Sequence, residues 1–150
     1  MSDQGEGTVS EEIGSGDYRL DDQVGFLMRR ANQRHLALFA QAVPELTPTQ
    51  FAALAKLCEL GQASQNALGR ATAMDAATIK GVVDRLRRRE LVASAPDPGD
   101  LRRVFLTPTE EGRAMFESVV AAAQAVTAET LAPLEPAERA VFLRLLGKLT

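Results

Sequence analysis

The residues best equipped for chemistry in this 150-residue chain are cations. Lys80, Arg85, Arg87, Arg88, Arg89, Arg102 and Arg103 stand between positions 80 and 103, against Asp84, Glu90, Asp97 and Asp100. That segment is net positive inside a chain of formal net charge −3. The start is the reverse: Asp3, Glu6, Glu11, Glu12, Asp17, Asp21 and Asp22 face Arg19 alone. Phosphate affinity depends on where charge sits rather than on the sum, so the basic segment is a candidate nucleic-acid surface. A plainer reading stands beside it: Arg85-Leu86-Arg87-Arg88-Arg89 as a solvated helix end, where cations suit the dipole.

The elements that carry these cations decide between the two readings. Alanine and leucine dominate and aromatics make up 5%, a composition that favours helices. Leu20, Val24, Leu27, Met28, Ala31, His35, Leu38 and Phe39 recur at three- and four-residue steps and predict a first helix from Leu20 to about Val43. Thr47-Pro48-Thr49-Gln50 is a capping box that opens a second helix, stopped by Gly61. Ser64 caps a short third helix, Gln65–Ala71, and Asp75 caps a fourth, Ala76–Arg89. Two β-prone pieces follow, Leu91–Ala95 and Arg102–Leu106, around the turn-forming Pro96-Asp97-Pro98-Gly99-Asp100. Thr107-Pro108-Thr109-Glu110 reads as a second capping box, launching a helix to about Leu131, and a last helix spans Ala137–Leu149. The fold class is mainly α with a small β-hairpin: a winged helix-turn-helix flanked by N- and C-terminal helices.

In that arrangement Ile79, Val82, Val83 and Leu86 hold the fourth helix against its neighbours and leave the opposite face free. The small residues Ala76, Ala77 and Gly81 allow close approach to a groove floor. Thr78 and Lys80 are placed for base edges, and Ala77 for a thymine methyl. Gln65, Asn66, Arg85 and Arg88 suit phosphates, while Arg102 and Arg103 beside the hairpin tip have the reach of a minor groove.

These residues in order resemble the MarR family (multiple antibiotic resistance regulators). The likeness runs from residue 20 to 150 and rests on Leu46-Thr47-Pro48-Thr49-Gln50-Phe51, Ser64-Gln65-Asn66-Ala67-Leu68-Gly69, Met74-Asp75-Ala76-Ala77-Thr78-Ile79 and Val83-Asp84-Arg85-Leu86. It continues through Leu91-Val92, the Asp100-Leu101-Arg102 wing signature, and Leu106-Thr107 leading to Glu111-Gly112. The resemblance implies a ligand-responsive repressor that binds a pseudo-palindromic double-stranded DNA operator as a homodimer, with Asp100 bracing Arg102 in the wing. Three departures are visible. Gly81 stands where many members carry arginine, Glu90 replaces the glycine that ends the recognition helix, and the wing is about two residues short.

The organisation expected is an acidic disordered tail over 1–18, a helical dimerisation region over 19–46 and 108–150, and a DNA-reading region over 47–107. The resemblance places an effector, an aromatic acid or its CoA thioester, in a crevice bounded by the first, second and fifth helices. Arg30 and Arg34, four residues apart, are the anion-binding candidates there, with His35, Phe39 and Phe51 beside them. Plainer roles are open for all five: solvent-facing or partner-paired arginines, an interface histidine, core phenylalanines. Cys58 offers a redox-responsive alternative, and a helical protein-interaction module is another.

Catalysis is not expected, since no phosphate-binding glycine loop, zinc spacing or histidine-paired nucleophile is present. No cofactor or metal is expected either. The N-terminus lacks a basic start and an apolar run, and no stretch reaches the ~20 apolar residues of a membrane span, so a cytoplasmic protein is expected.

Overall fold

The structure, a computed structural model, describes residues 15–150, so most of the expected 1–18 tail lies outside the described residues. Two units are distinguished, residues 1–33 and 34–150, and each is taken by itself. In the first, short 3-10 turns at Ser15–Asp17 and Leu20–Asp22 precede helix α1, Val24–Ala42, which continues into the second unit. The helix expected from Leu20 therefore starts four residues later, because Gln23 is extended and returns its amide to the Leu20 carbonyl.

The second unit orders α2 (Pro48–Leu60), α3 (Gln65–Ala71), α4 (Ala76–Arg88), β1 (Val92–Asp97), β2 (Asp100–Pro108), α5 (Glu110–Leu131) and α6 (Pro136–Gly147). The expected box opens α2: Thr47 Oγ1 accepts the Gln50 amide at 3.2 Å and Gln50 Oε1 accepts the Thr47 amide at 3.2 Å. Ser64 and Asp75 cap α3 and α4 by accepting the amides of Ala67 and Thr78. The box expected at Thr107 is corrected: Thr107 and Pro108 finish β2, and Thr109 is the cap, accepting the Gly112 amide at 3.0 Å. Strand pairing extends past the β-prone core and uses both residues before the helix can begin.

The hairpin pairs antiparallel from Val92↔Pro108 to Pro96↔Val104. A third backbone segment joins it, with Ala63 and Leu106 exchanging amide–carbonyl bonds of 3.0 and 2.8 Å. The wing is thereby tied to the α2–α3 turn. The core lies among α2, α3, α4, α5 and the base of the hairpin, where Leu54, Leu57, Leu68, Val83 and Leu86 are fully buried.

The helices α3 and α4 end alike, in a left-handed residue that is not glycine. Ala73 has φ 53° and Glu90 φ 59°. After α3, Ala73 donates to Arg70 O at 3.3 Å and Met74 to Gly69 O at 2.9 Å; after α4, Glu90 donates to Arg87 O at 2.9 Å and Leu91 to Leu86 O at 3.0 Å. Both are Schellman closures, sealed after α4 by the buried pair Leu86 and Leu91. Glu90 thus accepts the strained left-handed conformation rather than ending the helix another way.

Candidate nucleic-acid interface

Two glycines set how closely the reading elements pack. A Cβ on Gly69 would lie 3.1 Å from Met74 O and 3.2 Å from Ile79 Cγ2, so α3 and α4 meet almost backbone to side chain. A Cβ on Gly112 would lie 2.0 Å from Leu91 O, which seats the first turn of α5 on the α4–β1 junction. Thr109 completes that junction: its hydroxyl donates to Glu90 O at 2.6 Å and its amide to Leu91 O at 3.1 Å.

With Ile79, Val82, Val83 and Leu86 buried, α4 turns Ala76, Ala77, Thr78, Lys80, Arg85 and Arg88 to solvent, with Gly81 half-buried. The Asp75 carboxylate accepts the Thr78 amide at 2.7 Å, and that bond holds its pKa below the usual carboxylate value. Lys80 Nζ reaches Asp84 Oδ2 at 2.9 Å one turn on, and this bond lowers the Asp84 pKa. Both partners are exposed, so the pair is weak in water and leaves Lys80 able to swing to another acceptor.

The basic cluster at the end of α4 does not act as one. Arg89 turns inward, donating to Glu45 O at 2.7 Å and reaching Gln50 Oε1 at 3.4 Å, so it ties α4 to the capping box of α2. Arg88 Nε returns to Asp84 O at 3.4 Å, while Arg85 and Arg87 are exposed.

Gln65 and Asn66 at the start of α3 meet the wing across a cleft of about 510 Å³, lined also by Ser64, Arg70, Arg103, Val104 and Phe105. Arg70 joins this face although the sequence reading passed it over; its position in the last turn of a short, capped helix was the available signal. Asp100 does brace the wing, but through backbone: Oδ1 accepts the Arg102 amide at 3.1 Å, and Oδ2 lies 3.8 Å from Arg103 Nε. The Arg102 side chain is exposed and lies outside the cleft lining.

In the first unit Arg30 sits over the Phe26 ring, 5.9 Å from its centroid. In the second unit Arg34 donates to Thr130 O at 2.6 Å and Glu129 O at 2.9 Å, completing carbonyls in the last turn of α5. His35 Nδ1 lies 2.9 Å from Thr130 Oγ1. Phe39 is buried and Phe51 half-buried, with ring centroids 5.6 Å apart. Phe116 of α5 extends the row 5.9 Å beyond Phe51, a residue the helical stripe alone did not single out.

Cys58 is half-buried on α2, and burial pushes its thiol above the ordinary value, opposed by Arg113 and reinforced by Glu117. That disfavours the thiolate an oxidation sensor needs. Among the described residues no cluster of His, Cys, Asp or Glu is arranged to hold a metal, and no helix is long and apolar enough to cross a membrane.

Residues 46–104 match the MarR family. The chain is 43% identical over 134 residues to the HTH-type transcriptional repressor NicR of Pseudomonas putida, covering 88% of this chain and 85% of that protein. A probable transcriptional regulator from Pseudomonas aeruginosa superposes with a TM-score of 0.86 at 51% identity, over 88% of this chain and 100% of that one. BpsR of Bordetella bronchiseptica, whose DNA binding is regulated by 6-hydroxynicotinic acid, superposes with a TM-score of 0.85 at 44% identity, over 88% and 96%.

Proposed function

Because the chain belongs to the MarR family of winged helix-turn-helix transcriptional regulators, we propose that it is a repressor that holds a pseudo-palindromic operator as a homodimer and releases it when a small aromatic acid binds. The observation that carries this reading is the division of α4: four apolar side chains buried on one side, and Ala76, Ala77, Thr78 and Lys80 exposed at its capped start on the other. Thr78 and Lys80 address base edges and Ala77 a thymine methyl. Gln65, Asn66, Arg70, Arg85 and Arg88 hold phosphates and fix register. Arg102 and Arg103 approach the minor groove from a wing braced by Asp100.

Residues 47–107 read DNA, and 19–46 with 108–150 join the two protomers. Exposed apolar side chains support this: Val24, Leu27 and Met28 on the start of α1, and Val141, Phe142, Leu143, Leu145 and Leu149 in or just past α6. Two recognition helices about 34 Å apart then meet successive major grooves. The protein acts on DNA in the cytoplasm and catalyses no reaction.

The effector is a planar aromatic monocarboxylic acid of the hydroxynicotinic type, its carboxylate held by Arg34 and His35 beside the last turn of α5. Arg34 has five N–H donors, and the two carbonyls leave others for a carboxylate. Release requires that the ligand bind one arrangement of the helices better than another. The path to the reading head is the length of α5: its last turn meets Arg34, and its first turn, with Gly112 packed on Leu91 and the cap Thr109 bonded to Glu90 and Leu91, sits at the end of α4.

Selection of duplexes from a random pool, followed by mobility-shift titration at several salt concentrations, tests the reading. Enrichment of one palindrome, with affinity for it falling steeply as salt rises, is expected. Equal binding to every duplex, or none, would leave a helical interaction module instead.

A further inference from the structure

The tip of the wing holds a feature that phosphate binding does not explain. Strand pairing passes from Pro96↔Val104 directly to Asp97↔Asp100. Leu101, Arg102 and Arg103 therefore have nothing opposite them on β1 and bulge out of the ladder. Bulges bend a strand and re-aim its side chains. Here the bulge is stitched: Asp97 Oδ1 accepts the Gly99 amide at 2.8 Å, and Asp100 Oδ1 accepts the Arg102 amide at 3.1 Å. Its outermost apolar member is Leu101, 80% exposed, above every other large hydrophobic side chain described. Single exposed leucines are common and need no explanation. This one is fixed on a projecting bulge, followed by two exposed arginines, at the end of a hairpin whose Arg103, Val104 and Phe105 line the cleft with Gln65 and Asn66.

We infer that Leu101 is an apolar wedge that enters the minor groove and partly unstacks one base step beneath each wing. This rests on the DNA-binding reading given above. The occupant follows from the charge around it: the tip carboxylates are engaged, Asp97 by the Gly99 amide and Asp100 by the Arg102 amide and Arg103, while the Arg102 guanidinium is exposed beside the leucine, and arginine suits a minor groove. An apolar side chain delivered there gains contact only by leaving water among the sugars or between bases. Leucine is among the residues that architectural proteins insert between base steps. Unstacking is easiest at pyrimidine–purine steps, so Leu101 confers a preference for TA or CA/TG at a position no hydrogen bond reads. The bulge presets the geometry, so the ordering cost on binding is small.

The test compares the full-length protein with Leu101→Ala and Leu101→Phe, on the duplex that the unaltered protein selects, with 2-aminopurine placed in turn at each step under the wing. None of the three should differ in thermal stability, because the side chain contacts no core. The unaltered protein should brighten 2-aminopurine at one step; Leu101→Ala should lose that brightening and bind the selected duplex about tenfold more weakly, with random duplex little changed. Leu101→Phe should keep the brightening. Pools reselected with Leu101→Ala should lose the TA or CA/TG enrichment. Unchanged affinity and unchanged fluorescence in Leu101→Ala, with sequence-preferring binding by the unaltered protein, overturns the wedge and leaves the repressor reading intact. Absence of sequence-preferring binding by the unaltered protein overturns both.

Discussion

Replacing Glu90 by glycine should stabilise the protein, and the size of the gain follows from one dihedral angle. Glu90 sits at φ 59° as the left-handed residue of the closure after α4, exposed, with its amide on Arg87 O and its carbonyl taken by the Thr109 hydroxyl. Both bonds are backbone bonds on the Glu90 side and survive the substitution. A left-handed L-residue costs roughly 1–2 kcal/mol that glycine avoids. Glycine gives back about 0.4–1 kcal/mol through the greater freedom of its unfolded chain. The difference is a net gain of about 0.5–1 kcal/mol, or roughly 2 °C in Tm for a domain of this length. Circular dichroism melts at one fixed protein concentration measure it, since the Tm of a dimer shifts with concentration. Glu90→Ala is the control, because alanine removes the carboxylate but keeps the strain. If alanine raises Tm as much as glycine, removing a carboxylate from the negative end of the α4 dipole explains the gain and the backbone argument fails; a fall with glycine refutes it outright.

Gly112→Ala should cost about 3 kcal/mol or abolish folding, because its Cβ meets the Leu91 backbone. Gly81→Ala, which meets only the flexible tip of Arg85, should instead gain up to about 1 kcal/mol in the same denaturation assay. Thr78→Ala and Lys80→Ala should weaken the preferred duplex more than random DNA in anisotropy titrations, whereas a uniform loss would reassign them to phosphates. Arg34→Ala should leave operator affinity nearly intact and blunt release by the aromatic acid, at some cost in Tm from the Thr130 carbonyl it leaves uncapped; unchanged release would misplace the ligand site. The Asp75 carboxylate has a folded pKa below its ordinary 3.8. Its stabilisation is therefore present above that value and lost as pH falls through the lower folded one. The stability gap between the protein and Asp75→Asn should be constant near neutrality and narrow below about pH 4.

Local chemistry made most of the reading head legible. Thr47, Ser64 and Asp75 each cap the helix expected of them, since a cap is a contact within three residues. The narrow apolar face of α4 likewise predicted its own burial. Thr107 failed for a tertiary reason: hairpin pairing extends through Pro108 and hands the cap to Thr109. The inward turn of Arg89 toward Glu45 and Gln50 spans about forty residues of sequence, and no spacing rule reaches it. Arg34 was expected to hold an anion and holds two carbonyls of α5, again a partner remote in sequence. The short wing was legible as a departure in length, but the bulge that re-aims Leu101 depends on register across the two strands.

Release of one DNA-reading surface by an aromatic acid bound elsewhere on the chain is open to direct measurement. Fluorescence anisotropy of the selected operator, bound at saturation and titrated with 6-hydroxynicotinic acid and related aromatic acids, tests it most directly. At least one such acid should release the labelled duplex, benzoate-sized molecules lacking the carboxylate should not, and a random duplex should show no comparable preference at any acid concentration. An operator complex that forms with sequence preference yet is indifferent to every aromatic acid would contradict the account.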